Sequence, residues 1–265
     1  MKPNEADYKI YQVDAFTDTL FKGNPACVVP LKDWLPDELL LKIAKENAVA
    51  ETAYFIEHKN HFHLRWFTPD IEMDLCGHAT LAAAHIIKSE LNSADEIKFK
   101  TLSGDLSVHC KEDLYYLNLP SRKPLKAELP NEIKLALNIQ PNFILKSRDY
   151  LLVYNNEQEI KALKIDRSSF DKINLGHGGV IATSKGNDVD FVSRFFTPQA
   201  TILEDPVTGS AHCSLIPYWA HILSKNKLIA SQYSQRGGTL YCEDKEDRVL
   251  VAGKAITYSK GLFRI

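Results

Sequence analysis

No two of the five cysteines, Cys27, Cys76, Cys110, Cys213 and Cys242, form a C-x-x-C pair. Their odd number and wide spacing give neither a disulfide framework nor a zinc or redox motif. Such scatter suits a reducing, cytoplasmic compartment. No apolar run reaches the roughly 18 residues of a membrane span, and the opening MKPNEADYKIYQVDAF carries no apolar leader core, so neither export nor anchoring is expected. Blocks of one charge are missing too. The 32 basic and 34 acidic residues are interspersed, for a formal charge of −2, which excludes the electrostatic footprint of a nucleic-acid or anionic-membrane binder. The expected partner is a small molecule or another protein.

What is present is an ordinary globular composition, 45% hydrophobic and 25% charged over 265 residues, enough for one large core or two of about 100–150 residues. Periodicity marks strands at YKIYQVDAF, ACVVPL, ETAYFIE and HFHLRWFTP, and an amphipathic helix at PDELLLKIAKENA opened by Pro36 and Asp37. After Gly77, HATLAAAHII has no polar face except its histidines, the pattern of a helix enclosed by protein. Strand patterns dominate from Glu96 to Leu119, with turn chemistry at Ser103-Gly104-Asp105 and Lys111-Glu112-Asp113. PSRKPLKAELP has linker composition and predicts a boundary, giving domains 1–120 and 121–265, with the last strand able to return to the first domain. Beyond it a helix is predicted at NEIKLALNI, strands at RDYLLVY, HGGVIATS and DFVSRFFTP, a second apolar helix from Gly209, and strands to the end.

One phrase occurs twice. RWFTPDIEMDLCGHA, from Arg65, returns as RFFTPQATILEDPVTGSA, from Arg194, an offset of 129. Each copy leads through a loop to a Gly and an apolar helix, which reads as an internal duplication: two domains of one fold. A helix N-terminus presents unbonded backbone N–H groups and partial positive charge, so Gly77 and Gly209 are candidate binders of a substrate carboxylate. Between domains is a favoured place for a ligand. The polar letters differ between copies: Asp74, Cys76 and His78 in the first, Glu204, Asp205, Thr208 and Ser210 in the second. Glu51, flanked by Ala50, Thr52 and Ala53, falls at Val180 in the second copy by the same offset. A carboxylate in apolar company tends to titrate high enough to accept protons near neutral pH.

These motifs, together with DAFTDTLFKGNPACVV, ETAYF and the ending SQRGGTLYCEDKEDRVLVAGKAITYSKGLFRI, run from one end of the chain to the other. They resemble the phenazine-biosynthesis isomerase (PhzF-like) family, which has the diaminopimelate-epimerase fold. The resemblance implies an α/β (α+β) protein of two pseudo-twofold related domains, each a bent, mostly antiparallel sheet around a central helix. It further implies an active site between the domains, a homodimer, and no metal or organic cofactor. Position by position, Glu51 matches the catalytic general acid/base, and His78, Asp205 and Ser210 match its partners. Gly77 and Gly209 match the helix mouths. Thr208 and Asn24, the latter in KGNPA, are taken as substrate-binding. The fold's racemases place one cysteine at each helix mouth; here Cys76 stands at the first position and Pro206 at the second, which excludes a two-thiol mechanism.

The activity expected is a cofactor-independent proton shift on a small, carboxylate-bearing, cyclic or amino-acid-like substrate. Two alternatives remain open. One is acyl transfer by a Cys76–His78 pair, disfavoured because an i, i+2 spacing aims the two side chains apart. The other is a catalytically silent protein that binds carboxylates with the same fold.

Overall fold

A computed structural model describes residues 6–91 and 94–265; the leaderless reading of Met1–Glu5 lies outside them. The chain divides into two compact units, Met1–Leu117 with Gly253–Ile265, and Asn118–Ala252.

In the first unit the strands lie in the order Ala255–Arg264, Asp7–Ala15, Asn24–Leu31, Glu51–Glu57, Phe62–Phe67, Glu96–Thr101 and Gly104–Lys111. Asn24–Leu31 is parallel to Glu51–Glu57, and Phe62–Phe67 to Glu96–Thr101; the other neighbours are antiparallel. Alternation explains the solvent-facing strands. In Glu96–Thr101, Ile97 and Phe99 point inward while the residues between them are exposed. Helix Gly77–Leu91 is buried on nearly every side, as its lack of a polar face predicts. It packs against the strands Asp7–Ala15, Asn24–Leu31, Glu51–Glu57 and Ala255–Arg264. On another face, helix Asp37–Asn47 buries Leu40, Ile43 and Ala44 at i, i+3, i+4 spacing and ends at Ala48, whose φ of 52° is left-handed.

The second unit repeats the arrangement. Phe143–Lys146, Tyr150–Val153, Val180–Lys185, Phe191–Phe196, Lys227–Gln232 and Gly238–Lys245 follow one another with pairings antiparallel, parallel, antiparallel, parallel, antiparallel. That is the same sequence of senses as from Asp7–Ala15 to Gly104–Lys111, so the duplication read from a few residues extends through each unit.

Three details depart from the periodic pattern. The helix predicted over NEIKLALNI stops at Ala136, because Leu137 turns extended and bridges to Ile165. Within PSRKPLKAELP, Leu125–Lys126 pairs briefly with the strand Phe143–Lys146. The helix after Gly209 opens as a 3₁₀ turn, Gly209–Ala211, before the α-helix His212–Leu223. That helix contains Pro217, whose ring nitrogen cannot bond the carbonyl four residues back. The backbone N–H of Arg122 donates to this Cys213 carbonyl instead, at 2.8 Å, so the buried acceptor is satisfied.

Candidate active site

The repeated phrase first has a structural meaning. Arg65 donates from Nε and Nη2 to both carboxylate oxygens of Glu72, each at 2.7 Å, and its guanidinium lies 5.1 Å from the Phe67 ring centroid. Arg194 does the same with Glu204, at 2.7 and 2.9 Å, over Phe196. Bidentate pairing to Glu72, reinforced by Asp37, holds the Arg65 guanidinium well above its ordinary titration range. Each clamp ties a strand to the short strand that follows it, Glu72–Met73 or Glu204–Asp205. Glu204, which the sequence grouped with the polar residues of the second helix mouth, is therefore the counterpart of Glu72.

At the first helix mouth the geometry converges on His78. Glu51 is the first residue of its strand and sits in parallel register opposite Ala26. Two residues before Ala26, Asn24 begins the neighbouring strand. His78 is the second residue of helix Gly77–Leu91. Its Nε2 lies 3.0 Å from Oε2 of Glu51, while Nδ1 lies 3.0 Å from Nδ2 of Asn24 and 3.6 Å from Sγ of Cys76. His78 and Asn24 are buried, and the Glu51 side chain keeps 13% exposure. Neither His78 Nε2 nor Glu51 Oε2 has an aligned hydrogen bond, so their approach is that of a charge pair. Burial opposes an imidazolium here, yet the Cys76 sulfur and the Glu51 carboxylate outweigh it and raise His78 well above its ordinary value. Burial, with Glu51 next, pushes the Cys76 thiol up to about 11.

The DAFTDTLFKGNP motif explains how Asn24 is delivered. Oδ2 of buried Asp14 accepts the N–H of Phe21 at 2.9 Å, bracing the loop. Gly23 then takes φ +66°, where a Cβ would lie 2.1 Å from the Ala15 carbonyl oxygen. Asn24 is thus a strand residue bonded to the candidate catalytic histidine. Cys76 and His78 do meet, contrary to the spacing argument, because Cys76 precedes the helix and its carbonyl accepts from Thr80. Burial keeps that sulfur a thiol, which is a poor nucleophile.

The second mouth is built differently. Thr208 donates from Oγ1 to Oδ2 of Asp205 at 2.5 Å. Buried Gln232 fixes both: its Nε2 donates to the Asp205 carbonyl at 2.9 Å and to Thr208 Oγ1 at 3.0 Å, and its Oε1 accepts the Thr208 N–H at 2.8 Å. Ser210, the counterpart of His78, accepts from Nη2 of Arg148 at 3.0 Å. Arg148 also pairs with Asp149, which is wholly buried and whose carboxyl burial pushes up against the opposing pull of Arg148. Sequence reasoning missed Gln232, Arg148 and Asp149.

Strand pairing also locates the counterpart of Glu51. Thr52 faces Phe67 and Val180 faces Phe196, so the residue equivalent to Glu51 is Gly179, one position from that given by the constant offset. A Cβ on Gly179 would lie 2.4 Å from Phe195 Cζ and 2.8 Å from the Phe196 carbonyl oxygen, so the second copy has no room for a carboxylate. The two copies differ in packing as well as in composition.

Among the described residues, Glu51, Cys76 and His78 form one group of three metal-ligating side chains, with ligand atoms within 4.8 Å of one another. No helix among them is long and apolar enough to cross a membrane.

Comparison with known proteins places this geometry. A family profile described as "Phenazine biosynthesis-like protein" matches residues 13–261. A Pseudomonas aeruginosa protein named an uncharacterized isomerase is 44% identical over 257 residues, covering 97% of this chain and 98% of its own. A human phenazine biosynthesis-like domain-containing protein is 36% identical, covering 95% and 97%. Among solved structures, a PhzF-family phenazine biosynthesis protein of Enterococcus faecalis superposes with TM-score 0.92 at 42% identity, covering 98% of this chain and all of that one. A hydroxyproline epimerase of Agrobacterium vitis, TM-score 0.65 at 10% identity over 98% and 93% of the two chains, shares the fold alone. The epimerase-like, two-unit α+β fold implied by the sequence resemblance is the fold observed. With the family profile spanning nearly the whole chain and relatives named isomerases at over 40% identity, the chain belongs to the phenazine biosynthesis-like (PhzF) family of isomerases.

Proposed function

We propose that the protein moves a proton on a small carboxylate-bearing, cyclic or amino-acid-like substrate, without a cofactor, using Glu51 as general acid/base. The observation that carries this reading is the 3.0 Å approach of Glu51 to a buried, charge-supporting His78 that is itself held by Asn24. Glu51 keeps enough exposure to reach a substrate carbon, while His78 fixes its orientation.

Glu51 accepts a proton from the carbon next to a conjugated carboxylate. The electron pair left behind spreads toward the carboxylate, where the N–H groups of the helix turn opening at Gly77 stabilise the developing charge. That turn carries no acidic side chain of its own. Protonated Glu51 then returns the proton to another carbon on the same face, so the product is an isomer and no redox partner is needed. Positioned proton transfer contributes about 10²–10⁴-fold in rate. Asp205, Thr208, Ser210 and Gly209 are the groups of the second unit proposed to bind substrate polar atoms. The family resemblance supports a homodimer, and five free, buried cysteines fit a cytoplasmic setting.

The test is NMR-detected deuterium incorporation from D₂O across cyclic and amino-acid carboxylates. Exchange at a carbon in conjugation with the carboxylate is expected; a panel with no exchange at any carbon-bound hydrogen would leave the proposal without support and favour a silent binding protein.

A further inference from the structure

We propose that Arg148 is the positioning residue of the second helix mouth: it holds Ser210 as a hydrogen-bond donor, so the substrate atom received there is an acceptor oxygen, carboxylate or carbonyl, and not an ammonium group. This deepens the reading of Ser210 as a substrate-binding residue and rests on it.

A guanidinium carries N–H donors and no acceptor. In the 3.0 Å contact with Nη2 of Arg148, Ser210 Oγ is therefore the acceptor, and its own O–H must turn elsewhere. Among the described residues that proton has no acceptor. The neighbouring hydroxyl differs, since Thr208 Oγ1 already donates its proton to Asp205. Ser210 is only 6% exposed. In so enclosed a place a bond from a cation polarises the hydroxyl it reaches and makes it the stronger donor. A substrate oxygen accepts that proton. An ammonium group would instead stand beside the guanidinium, cation against cation.

Arg148 is itself held in place. Its Nε donates to Oδ1 of Asp149 at 3.3 Å, and the same oxygen accepts the Gly179 N–H at 2.9 Å. Asp149 is wholly buried. Oγ of Ser147 lies 2.6 Å from Oγ of Ser214, four residues beyond Ser210. The turn 147–149 thus touches the second central helix at two places one helical turn apart. Gly178 lets the turn come close, because a Cβ there would lie 2.8 Å from the Arg148 carbonyl oxygen.

The full chain is titrated with benzoate by calorimetry. Ser210→Ala and Arg148→Met should each weaken binding about 10–100-fold, the loss typical of a hydrogen bond to a charged group. The double variant should bind no more than about threefold worse than the weaker single one, because both changes remove the same contact. Arg148→Lys keeps a cation beside Asp149 without the fork that spans both partners, and should lose binding as well. Circular dichroism checks that each variant is folded. For a carboxylate that the wild type exchanges with D₂O, the loss should fall on KM and leave kcat little changed. Four results overturn the proposal: no benzoate binding to the wild type, unchanged binding in Ser210→Ala or in a folded Arg148 variant, losses that multiply in the double variant, or a change confined to kcat. Exchange lost in Glu51→Gln beside any of them would leave Glu51 as the base and refute Arg148. Unchanged exchange in Glu51→Gln beside the expected benzoate results would do the reverse.

Discussion

Oε2 of Glu51 lies 3.0 Å from Nε2 of His78, across a parallel strand pair and a helix mouth. With His78 facing that carboxylate at this distance, replacing the imidazole by a neutral amide removes the group that orients Glu51. His78→Gln should lower the deuterium-exchange rate by about 10²-fold or more. It should leave secondary structure intact, as checked by circular dichroism. Wild-type exchange in this variant would remove His78 from the mechanism.

Asn24 acts on the same ring from the other side. Asn24→Ala should cost about 10–100-fold in exchange rate, the range typical when a group that orients a functional histidine is lost. Nitrogen-15 NMR of His78 is the check. Its Nδ1 and Nε2 shifts should change in Asn24→Ala, whereas a purely structural role would leave the ring's proton distribution as it was.

The two arginine clamps are unequal. Arg194 also donates from Nη1 to the carbonyls of Ile160 and Leu163, at 3.1 and 2.7 Å, whereas the additional partner of Arg65 is the exposed Asp37. Removing Arg194 strips the donor from a partly buried carboxylate and from the Leu163 carbonyl and leaves the Ile160 carbonyl only the 3.4 Å bond from the Leu163 N–H; removing Arg65 leaves chiefly the carboxylate. Arg194→Met should therefore cost about 3–5 kcal/mol in urea unfolding and Arg65→Met about 1–3 kcal/mol. Equal losses would show that the carbonyl bonds carry no weight.

His212 provides the pH dependence. It is wholly buried, and burial pushes it down to about 4 even though Nδ1 donates to the Thr208 carbonyl at 2.9 Å. In the unfolded chain a histidine titrates near 6.5. The folded value is the lower one, so between these two values the unfolded state binds more protons and stability rises with pH. This contribution is complete above about pH 6.5 and lost as pH falls toward 4, on the order of 3 kcal/mol in all. Urea midpoints measured from pH 7 to pH 4 should fall less in His212→Asn than in the wild type. Parallel curves would refute the assignment.

Much of this fold was legible because strands such as Glu96–Thr101 and Gly104–Lys111 alternate while the central helix of the first unit has no polar face. The repeat was legible too, although its cause lay elsewhere: Arg65–Glu72 and Arg194–Glu204 preserve the phrase for packing. The meeting of Glu51 with His78 depends on the parallel register of Ala26 with Glu51, which leaves no mark in local spacing. Gln232, Arg148 and Asp149 escaped for the same reason: Gln232 meets Thr208 24 residues away, Arg148 meets Ser210 62 residues away, and Asp149 accepts the Gly179 N–H 30 residues away. Helices Glu157–Ala162 and Arg167–Phe170 are six and four residues long, too short for a 3.6-residue period to register. Their signals were the capping residues Asn156 and Asp166, whose side chains accept the first helical N–H groups.

The most direct measurement compares wild type with Glu51→Gln for solvent deuterium incorporation into a carboxylate that the wild type exchanges. A rate about 10²–10⁴-fold lower is predicted for the folded variant. An unchanged rate would contradict Glu51 as the base that carries the proton.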